Sequence, residues 1–365
     1  MNLVVLPGDG IGPEIAAATL RVLETVTRAL SLDLTFDVRP IGLASLSSAG
    51  TTLPSAVLEA CRQADGIVLG PVSTADYPPR DEGGINVSAE LRIQLDLFAN
   101  VRPSRTREGL AHWGRTPMDL VIVRENTEGF YADRNMHRGS GELMPTPELA
   151  LSIRKISAPA SARIARAAFE LATTRRRHVT AVHKSNVLAV TEGLFLREVR
   201  AVANDHPDVT YDEQLVDSMA ALLVRDAARF DVVVTTNMFG DILSDEAAEL
   251  SGSLGLAASI NVGERHCMAQ AQHGSAPDIQ GQDKANPISL IVSAAMLLDW
   301  LGRRHHDEKL TAAARVIETS VDAALRKPST RTIDLGGALG TGAFTSELCG
   351  DIGRRGEGGY NGARD

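Results

Sequence analysis

The chain has 365 residues, 44% hydrophobic and only 4% aromatic, which is long enough for two subdomains and fits an α/β protein rich in Ala, Leu and Val. Its 37 basic and 46 acidic residues leave a net charge of -9, which argues against non-specific nucleic-acid binding but leaves room for a local basic cluster that captures small anions. Cys61, Cys267 and Cys349 stand apart, so neither a zinc spacing nor a disulfide framework follows and a reducing, cytoplasmic setting is expected; MNLVVL at the start reads as a strand, not a signal peptide, and no apolar run reaches membrane-spanning length.

Residues 3–6 form the first strand. The turn GDGIGPE at 8–14 leads from it into a helix with apolar positions Ile15, Ala18, Leu20, Val22, Leu23 and Val26. Its spacing, G-x-G-x-G-P, is not the dinucleotide fingerprint, because Pro13 stands where that turn would run on to its third glycine. Pro13 suits the first turn of a helix, and no Rossmann domain is predicted. A strand at 34–41, a helix at 54–64 and a short buried strand at 66–69 follow. Residues 70–84 are a loop rich in Pro, Gly and Asp. Next come a helix at 86–97, a strand at 99–102 and a strand at 119–123, with Arg124 directly after it. This alternation predicts a mostly parallel sheet covered on both faces. Arg92, Arg102 and Arg124 stand near element ends and can converge on a small polyanion, since guanidinium matches carboxylate bidentately. Taken singly, each reads more readily as a solvated or salt-bridged arginine.

Residues 131–150 lack periodicity, and 149–156 alternates as a strand; such an excursion can be an arm that pairs with a second subunit. Residues 157–172 form an amphipathic helix with Ser157 as N-cap. A strand at 178–182 ends in His183-Lys184-Ser185-Asn186, before a helix at 191–203. Lys184, just past a strand end, is a candidate base or anion ligand, although a loop lysine is usually only solvated. The strand at 210–215 ends near Asp217. At 232–236 comes a β-branched buried strand, after which Gly240 breaks the pattern and Asp241 is expected to open a helix as N-cap or first-turn residue. Asp245 shares its face at i+4. Two hard oxygen donors at a strand's C-terminal end make a divalent-cation site, although first-turn acids also favour the helix dipole without any metal. Asp217, Asp241 and Asp245 each follow a strand end, as a shared site requires. The segment 273–278, HGSAPD, can wrap a ligand, with Asp278 on a ribose diol, or be a plain structural loop. Asn286 or Pro287 opens an apolar helix to 301, and the last helices cover 307–325 and 341–349. The Gly-rich tail 351–365 is expected to be disordered.

Six segments now fall into one order: GDGIGPE at 8–14, LRIQLDLFANVRP at 91–103, VIVRENTEGFY at 121–131, HKSNVL at 183–188, TTNMFGDILSD at 235–245 and HGSAPDIQGQDKANP at 273–287. Each alone is weak, but together the chain resembles the β-decarboxylating dehydrogenases, which act on 3-isopropylmalate, isocitrate, homoisocitrate and tartrate or D-malate. The resemblance implies a non-Rossmann α/β fold of the isopropylmalate/isocitrate dehydrogenase type, with two subdomains around a central cleft. Residues 1–100 and 251–350 would form the first, cofactor-side domain, and 101–250 a second one with the dimer interface and arm. The partner subunit of a homodimer would complete each active site. By the same resemblance Arg92, Arg102 and Arg124 hold substrate carboxylates, and Tyr131 and Lys184 are the catalytic acid and base. Asp217, Asp241 and Asp245 would ligate Mg²⁺ or Mn²⁺, with Lys184 and Asp217 reaching across the dimer. Ile11, His273, Gly274, Ser275, Ala276, Asp278 and Asn286 would bind NAD. Asp278-Ile279 stands where NADP-using members have a lysine and a tyrosine, and a carboxylate there repels a 2′-phosphate.

The chemistry implied is oxidation at C2 followed by decarboxylation. Lys184 takes the hydroxyl proton as hydride leaves, the cation acts as Lewis acid, and Tyr131 protonates the enol carbon. The arginines only hold the leaving carboxylate in line. Some residues depart from the pattern. Ser88 and Ala89 replace the leucine pair of isopropylmalate enzymes; Asn86 and Ser88 could serve a third carboxylate or a hydroxyl, yet without the isocitrate Ser-x-Asn spacing. Glu90 is unexpected, and MAQAQ at 268–272 replaces the usual Phe-Glu-Pro. The segment 132–147 is longer than in the shortest members. A hydroxy-dicarboxylate or tricarboxylate substrate is expected: isopropylmalate first, homoisocitrate/isocitrate or tartrate/D-malate next. A non-catalytic regulatory subunit is the alternative from another class; the intact Tyr131, Lys184 and aspartates speak against it.

Overall fold

The computed structural model describes residues 1–131, 136 and 139–357. In chain order its first elements are β1 (Asn2–Leu6), α1 (Gly12–Leu30), β2 (Thr35–Val38), α2 (Gly42–Ala49), α3 (Ser55–Gln63), β3 (Gly66–Leu69) and α4 (Val87–Gln94). The middle of the chain carries β4 (Ala99–Arg105), β5 (Asp119–Glu125), β6 (Glu142–Thr146), β7 (Leu149–Ser152), α5 (Ala158–Thr173), β8 (His178–His183) and α6 (Thr191–Asn204). It continues with β9 (Thr210–Leu215), α7 (Val216–Asp226), β10 (Val232–Thr235) and α8 (Asn237–Ser251). The last elements are β11 (Ala258–Val262), β12 (Cys267–Ala271), α9 (Ile288–His305), α10 (Glu308–Arg326) and α11 (Thr341–Glu357).

Ten strands form one sheet in the order β2-β1-β3-β12-β11-β4-β5-β10-β8-β9. Its two ends are parallel, as the alternation predicted, while β12-β11-β4-β5 in the middle are antiparallel neighbours. Successive side chains leave a strand on opposite faces, and this partitions the core. Leu3 and Val5 of β1 enter one apolar cluster with α9 and α10; Val4 and Leu6 enter another with α3 and α4. At the other end Val121 and Val123 of β5 pack with α5 and α6, while Leu120 and Ile122 pack with α7 and α8. Each half of the sheet is therefore buried on both faces by its own helices.

Several expectations are corrected. Strands β11 and β12 were not foreseen, because CMAQA has little intrinsic strand preference; its central place in the sheet, buried at every residue, decides its conformation. Arg124 lies within β5 and does not follow it. Gly240 does not break the chain before a helix: α8 starts at Asn237, so Asp241 sits in its second turn. The glycine is needed because a Cβ there would come within 2.7 Å of Arg124 Cβ and Cγ. The tail is not disordered from Asp351. Helix α11 continues to Glu357, because Phe344, Leu348 and Ile352, spaced four apart, are buried in the same cluster as the α1 core. Residues 358–365 of that expectation, and 132–135 and 137–138 of the long 132–147 segment, lie outside the described residues. The 131–150 excursion ends in a hairpin, β6 paired antiparallel with β7.

Candidate active site

Helix α8 follows a fully buried strand, so its first turns emerge against the antiparallel centre of the sheet. Asn237, Asp241, Ser244 and Asp245 share the face turned to β4 and β5. Arg124, with a side chain only 2% exposed, is the hub. Its Nε and Nη2 donate to Asn237 Oδ1 at 2.9 and 2.6 Å, Nη2 donates to the Tyr131 hydroxyl oxygen at 2.8 Å, and Nη1 donates to Asp241 Oδ1. The Tyr131 hydroxyl donates to Asp241 Oδ2 at 2.6 Å. Arg102 Nη1 donates to Ser244 Oγ at 2.8 Å and lies 3.2 Å from Asp241 Oδ1 and 3.3 Å from Asp245 Oδ1. Burial pushes the Asp241 carboxyl up, but Arg124 and then Arg102 outweigh it and hold the group below its ordinary range. Burial, with Arg124 alongside, pushes the Arg102 guanidinium down to about 10, still cationic at neutral pH.

This cluster opens on a cavity of about 640 Å³. One wall carries Arg102, Arg124, Tyr131 and Asp241, and the other Thr74, Asn86, Ser88 and Arg92. Arg92 Nη2 donates to Gln270 Oε1 at 3.0 Å, and Gln270 Nε2 donates to Ser88 Oγ at 3.1 Å. Gln270, in the unforeseen β12, thus anchors the α4 wall. Asn86 does line the cavity, but its Oδ1 is engaged as the N-cap of α4, accepting from Ala89 N at 3.1 Å. Glu90 is not in the cavity wall; it accepts from Arg80 and Gln94 on the surface.

Lys184 and Asp217 form a separate pair: Nζ donates to Asp217 Oδ1 at 2.7 Å, and that hydrogen bond holds the Asp217 carboxyl below its ordinary range. Neither lines the cavity, and among the described residues no three His, Cys, Asp or Glu side chains gather where a metal could sit. The chain brings together Arg92, Arg102, Arg124, Tyr131, Asp241 and Asp245, and leaves Lys184 and Asp217 elsewhere. Asp241 and Asp245 are hard oxygen donors on one helical face, which fits Mg²⁺ or Mn²⁺ with further donors from outside the cavity.

Beyond β12 the 273–278 loop packs on the first turn of the chain. Ser275 O accepts from Ile11 N at 2.8 Å and Ser275 Oγ accepts from Ser73 Oγ at 2.8 Å. Gly10 has φ 57°, and a Cβ there would fall 2.0 Å from Ser275 O, so this turn uses glycine for loop-to-loop contact. Burial pushes the His273 imidazole down, and its Nε2 is buried without a hydrogen-bond partner among the described residues. Such an atom is costly unless a ligand satisfies it, so the loop fits a cofactor with a polar edge. Asp278 is exposed on a short 3-10 turn beside Ala276, whose φ is 37°. Asn286 Nδ2 donates to Asp334 Oδ2 at 2.9 Å. Sequence reasoning missed Asp334 and Asn237, and it marked Gln270 only as part of a departing segment, without a contact. Asn237 had a signal in its place four residues before Asp241; the other two reach the site only through tertiary packing.

The family model for isocitrate/isopropylmalate dehydrogenase matches residues 2–352. The chain is 41% identical over 348 residues to 3-isopropylmalate dehydrogenase of Archaeoglobus fulgidus, covering 95% of this chain and 98% of that protein. It is also 41% identical over 349 residues to isocitrate/homoisocitrate dehydrogenase of Thermus thermophilus, covering 95% and 97%. The crystal structure of isocitrate dehydrogenase from Methylococcus capsulatus superimposes with a TM-score of 0.85 at 37% identity, over 96% of this chain and 99% of that one. The chain therefore belongs to the isocitrate/isopropylmalate dehydrogenase family, and it is an oxidative, decarboxylating dehydrogenase of a hydroxy acid.

Proposed function

We propose that the protein oxidatively decarboxylates a 3-substituted D-malate, using NAD⁺ and Mg²⁺ or Mn²⁺, with 3-isopropylmalate the first substrate to expect. The observation that carries this reading is the hydrogen-bonded cluster of Arg124, Arg102, Tyr131 and Asp241 at one cavity wall. Two buried guanidiniums there can attract a substrate's carboxylates to the cavity and hold the departing one in line. Lys184 serves as the base that takes the C2 hydroxyl proton, and Tyr131, its hydroxyl aligned by Arg124 and Asp241, gives a proton to the enol carbon. Asp241, Asp245 and Asp217 would hold the cation, which supplies Lewis acidity. Ile11, His273, Gly274, Ser275, Ala276, Asp278 and Asn286 would hold NAD⁺, the hydride acceptor, and the carboxylate of Asp278 favours it over NADP⁺.

Lys184 and Asp217 would reach the cavity of a second copy in a homodimer with shared sites. In support, the β6–β7 hairpin exposes Leu143, Met144, Leu149 and Leu151, an apolar surface that a partner would cover. The four core clusters support subdomains of 1–100 with 251–350 and of 101–250. No helix among the described residues is long and apolar enough to cross a membrane, and the free Cys61, Cys267 and Cys349 suit a reducing cytoplasm.

One observation favours a second reading of the substrate. The wall facing the arginines is polar, with Thr74, Asn86 and Ser88 beside Arg92, so an isocitrate- or homoisocitrate-like or a hydroxylated C3 group would find partners there. NADH formation with Mn²⁺ should be measured on 3-isopropylmalate, isocitrate, homoisocitrate, D-malate and tartrate. Dominant turnover of one of them identifies the C3 group. No turnover of any by a dimer that binds NAD⁺ would sink the proposal and favour a regulatory subunit.

A further inference from the structure

Glu192 lies in the first turn of α6, where a carboxylate ordinarily faces water and the helix dipole. Here it is fully buried. Its Oε1 accepts from Arg154 Nη2, and its Oε2 accepts from the backbone N–H of Lys184 at 2.9 Å. Arg154, just past β7, has a side chain 7% exposed. Its Nη2 also donates to Thr236 Oγ1, the residue before α8, at 2.9 Å, and Nη1 donates to Thr191 Oγ1 at 3.3 Å. The guanidinium carbon stands 5.5 Å from the centre of the Phe130 ring and 5.3 Å from that of Phe239. Phe130 lines the cavity next to Tyr131.

A buried ion pair is a poor stabiliser, since well-packed apolar side chains often do as well. What an apolar pair cannot do is fix direction. This pair ties the Lys184 loop to the start of α8 through oriented bonds, and its guanidinium packs against the Phe130 and Phe239 rings. Among the described residues the Lys184 side chain is anchored at its tip, to the exposed Asp217. Where its amine can reach therefore depends on where its backbone is held. We propose that Arg154 and Glu192 are positioning residues for the reaction, fixing the Lys184 backbone against α6 and the start of α8 of its own subunit so that its amine is presented at a set place to the cavity of the second copy. The proposal rests on the reading of Lys184 as the base.

The test uses the full chain with NAD⁺, Mn²⁺ and its best substrate, comparing Glu192→Gln with the double variant R154M/E192L, in which no charge is left buried alone. A displaced base makes the C2 oxidation slower than any other step. The expected result is that kcat falls about tenfold or more in both variants, since misplacement of a catalytic group by about 1 Å can cost 10². KM for substrate and NAD⁺ stays within twofold, and the deuterium isotope effect with C2-deuterated substrate grows. A merely structural role would lower the melting temperature or the active fraction without moving the isotope effect. Unchanged kcat and isotope effect, alongside an inactive Lys184→Met, would overturn the positioning role and leave the base assignment standing. An active Lys184→Met would overturn the base assignment and the proposal with it. A double variant that does not fold would make the pair a stability element and overturn the proposal as well.

Discussion

The Arg124 cluster and the Lys184–Asp217 pair are both made of opposite charges in contact, yet they are built in opposite ways. In the cluster two guanidiniums share one carboxylate, and the bonds run through Asn237, Tyr131 and Ser244, with both arginines buried. In the pair a single bond joins a lysine to an aspartate whose side chain is 62% exposed. Charges held in fixed geometry away from water interact strongly and need little rearrangement during reaction. An exposed pair is screened and contributes little to the fold. On the proposed reading the cluster is a preorganised half-site, and the pair is presented to the site of a second copy. That division fits a site assembled from two copies of the chain.

The largest effect should come from the exposed pair. Lys184→Met should lower kcat by about 10²–10⁴, the usual contribution of a general base. The thermal midpoint should stay at the wild-type value, because the partner lost, Asp217, is a solvated one. Steady-state NADH assays beside thermal unfolding check both. A midpoint that fell with activity would break the comparison, since the pair would then be part of the scaffold.

Next is Gly240→Ala, aimed at the cluster. On helix propensity alone alanine should stabilise α8 by about 1 kcal/mol. The new methyl, however, would come within 2.7 Å of Arg124 Cβ and Cγ, a side chain held by bonds at its far end. Overpacking of that kind costs about 1–3 kcal/mol, so a net loss in urea unfolding is expected, together with weaker substrate binding as the Arg124 fork is displaced. A stabilised, fully active variant would show that the hub is softer than its bonding suggests.

This contrast also marks what could be read from the sequence. The shared helical face of Asp241 and Asp245, the N-cap of Ser157 and the strand end before Lys184 are local features, and each is found in the structure, with Asp241 one turn further into its helix than the pattern put it. The start of α8 was misjudged because a mid-helix glycine looks like a breaker until Arg124 is seen packed against it. Gln270 and Glu192 could not be found by local reasoning. Gln270 sits in a strand defined by its neighbours, and Glu192 looks like any first-turn acid until Arg154 arrives from 38 positions away. The family resemblance supplied the roles of the arginines, but not what holds them.

A smaller effect is expected at the cavity's other wall. Gln270→Glu would place a carboxylate against Arg92, now 3.0 Å from a neutral amide oxygen. Part of the Arg92 charge would then be neutralised before substrate arrives. A rise in substrate KM of about fivefold, or about 1 kcal/mol, with kcat little changed, is the expected outcome in initial-rate assays. An unchanged KM would mean that Arg92 does not meet the substrate's charge, leaving Arg102 and Arg124 to do so alone.

The smallest effect separates the two half-sites by pH. Asp217 and Asp241 both titrate below the ordinary aspartate value of 3.8, Asp217 through the Lys184 hydrogen bond, and Asp241 because Arg124 and Arg102 overcome its burial. For either group the unfolded chain binds the proton first as pH falls. Each therefore contributes stability that is fully present above 3.8 and is lost as pH drops through the lower, folded value. Salt distinguishes them, because it screens an exposed contact far more than a partly buried one. In high salt the acid limb of the stability curve for Asp217→Asn should run parallel to wild type, while Asp241→Asn should be less stable throughout but shallower below pH 4. Chemical denaturation at a series of pH values measures both limbs. If the Asp217→Asn limb flattened as much as that of Asp241→Asn, the exposed pair would be contributing to the fold as the cluster does, and the division of the site into a fixed half and a presented half would fail on energetic grounds.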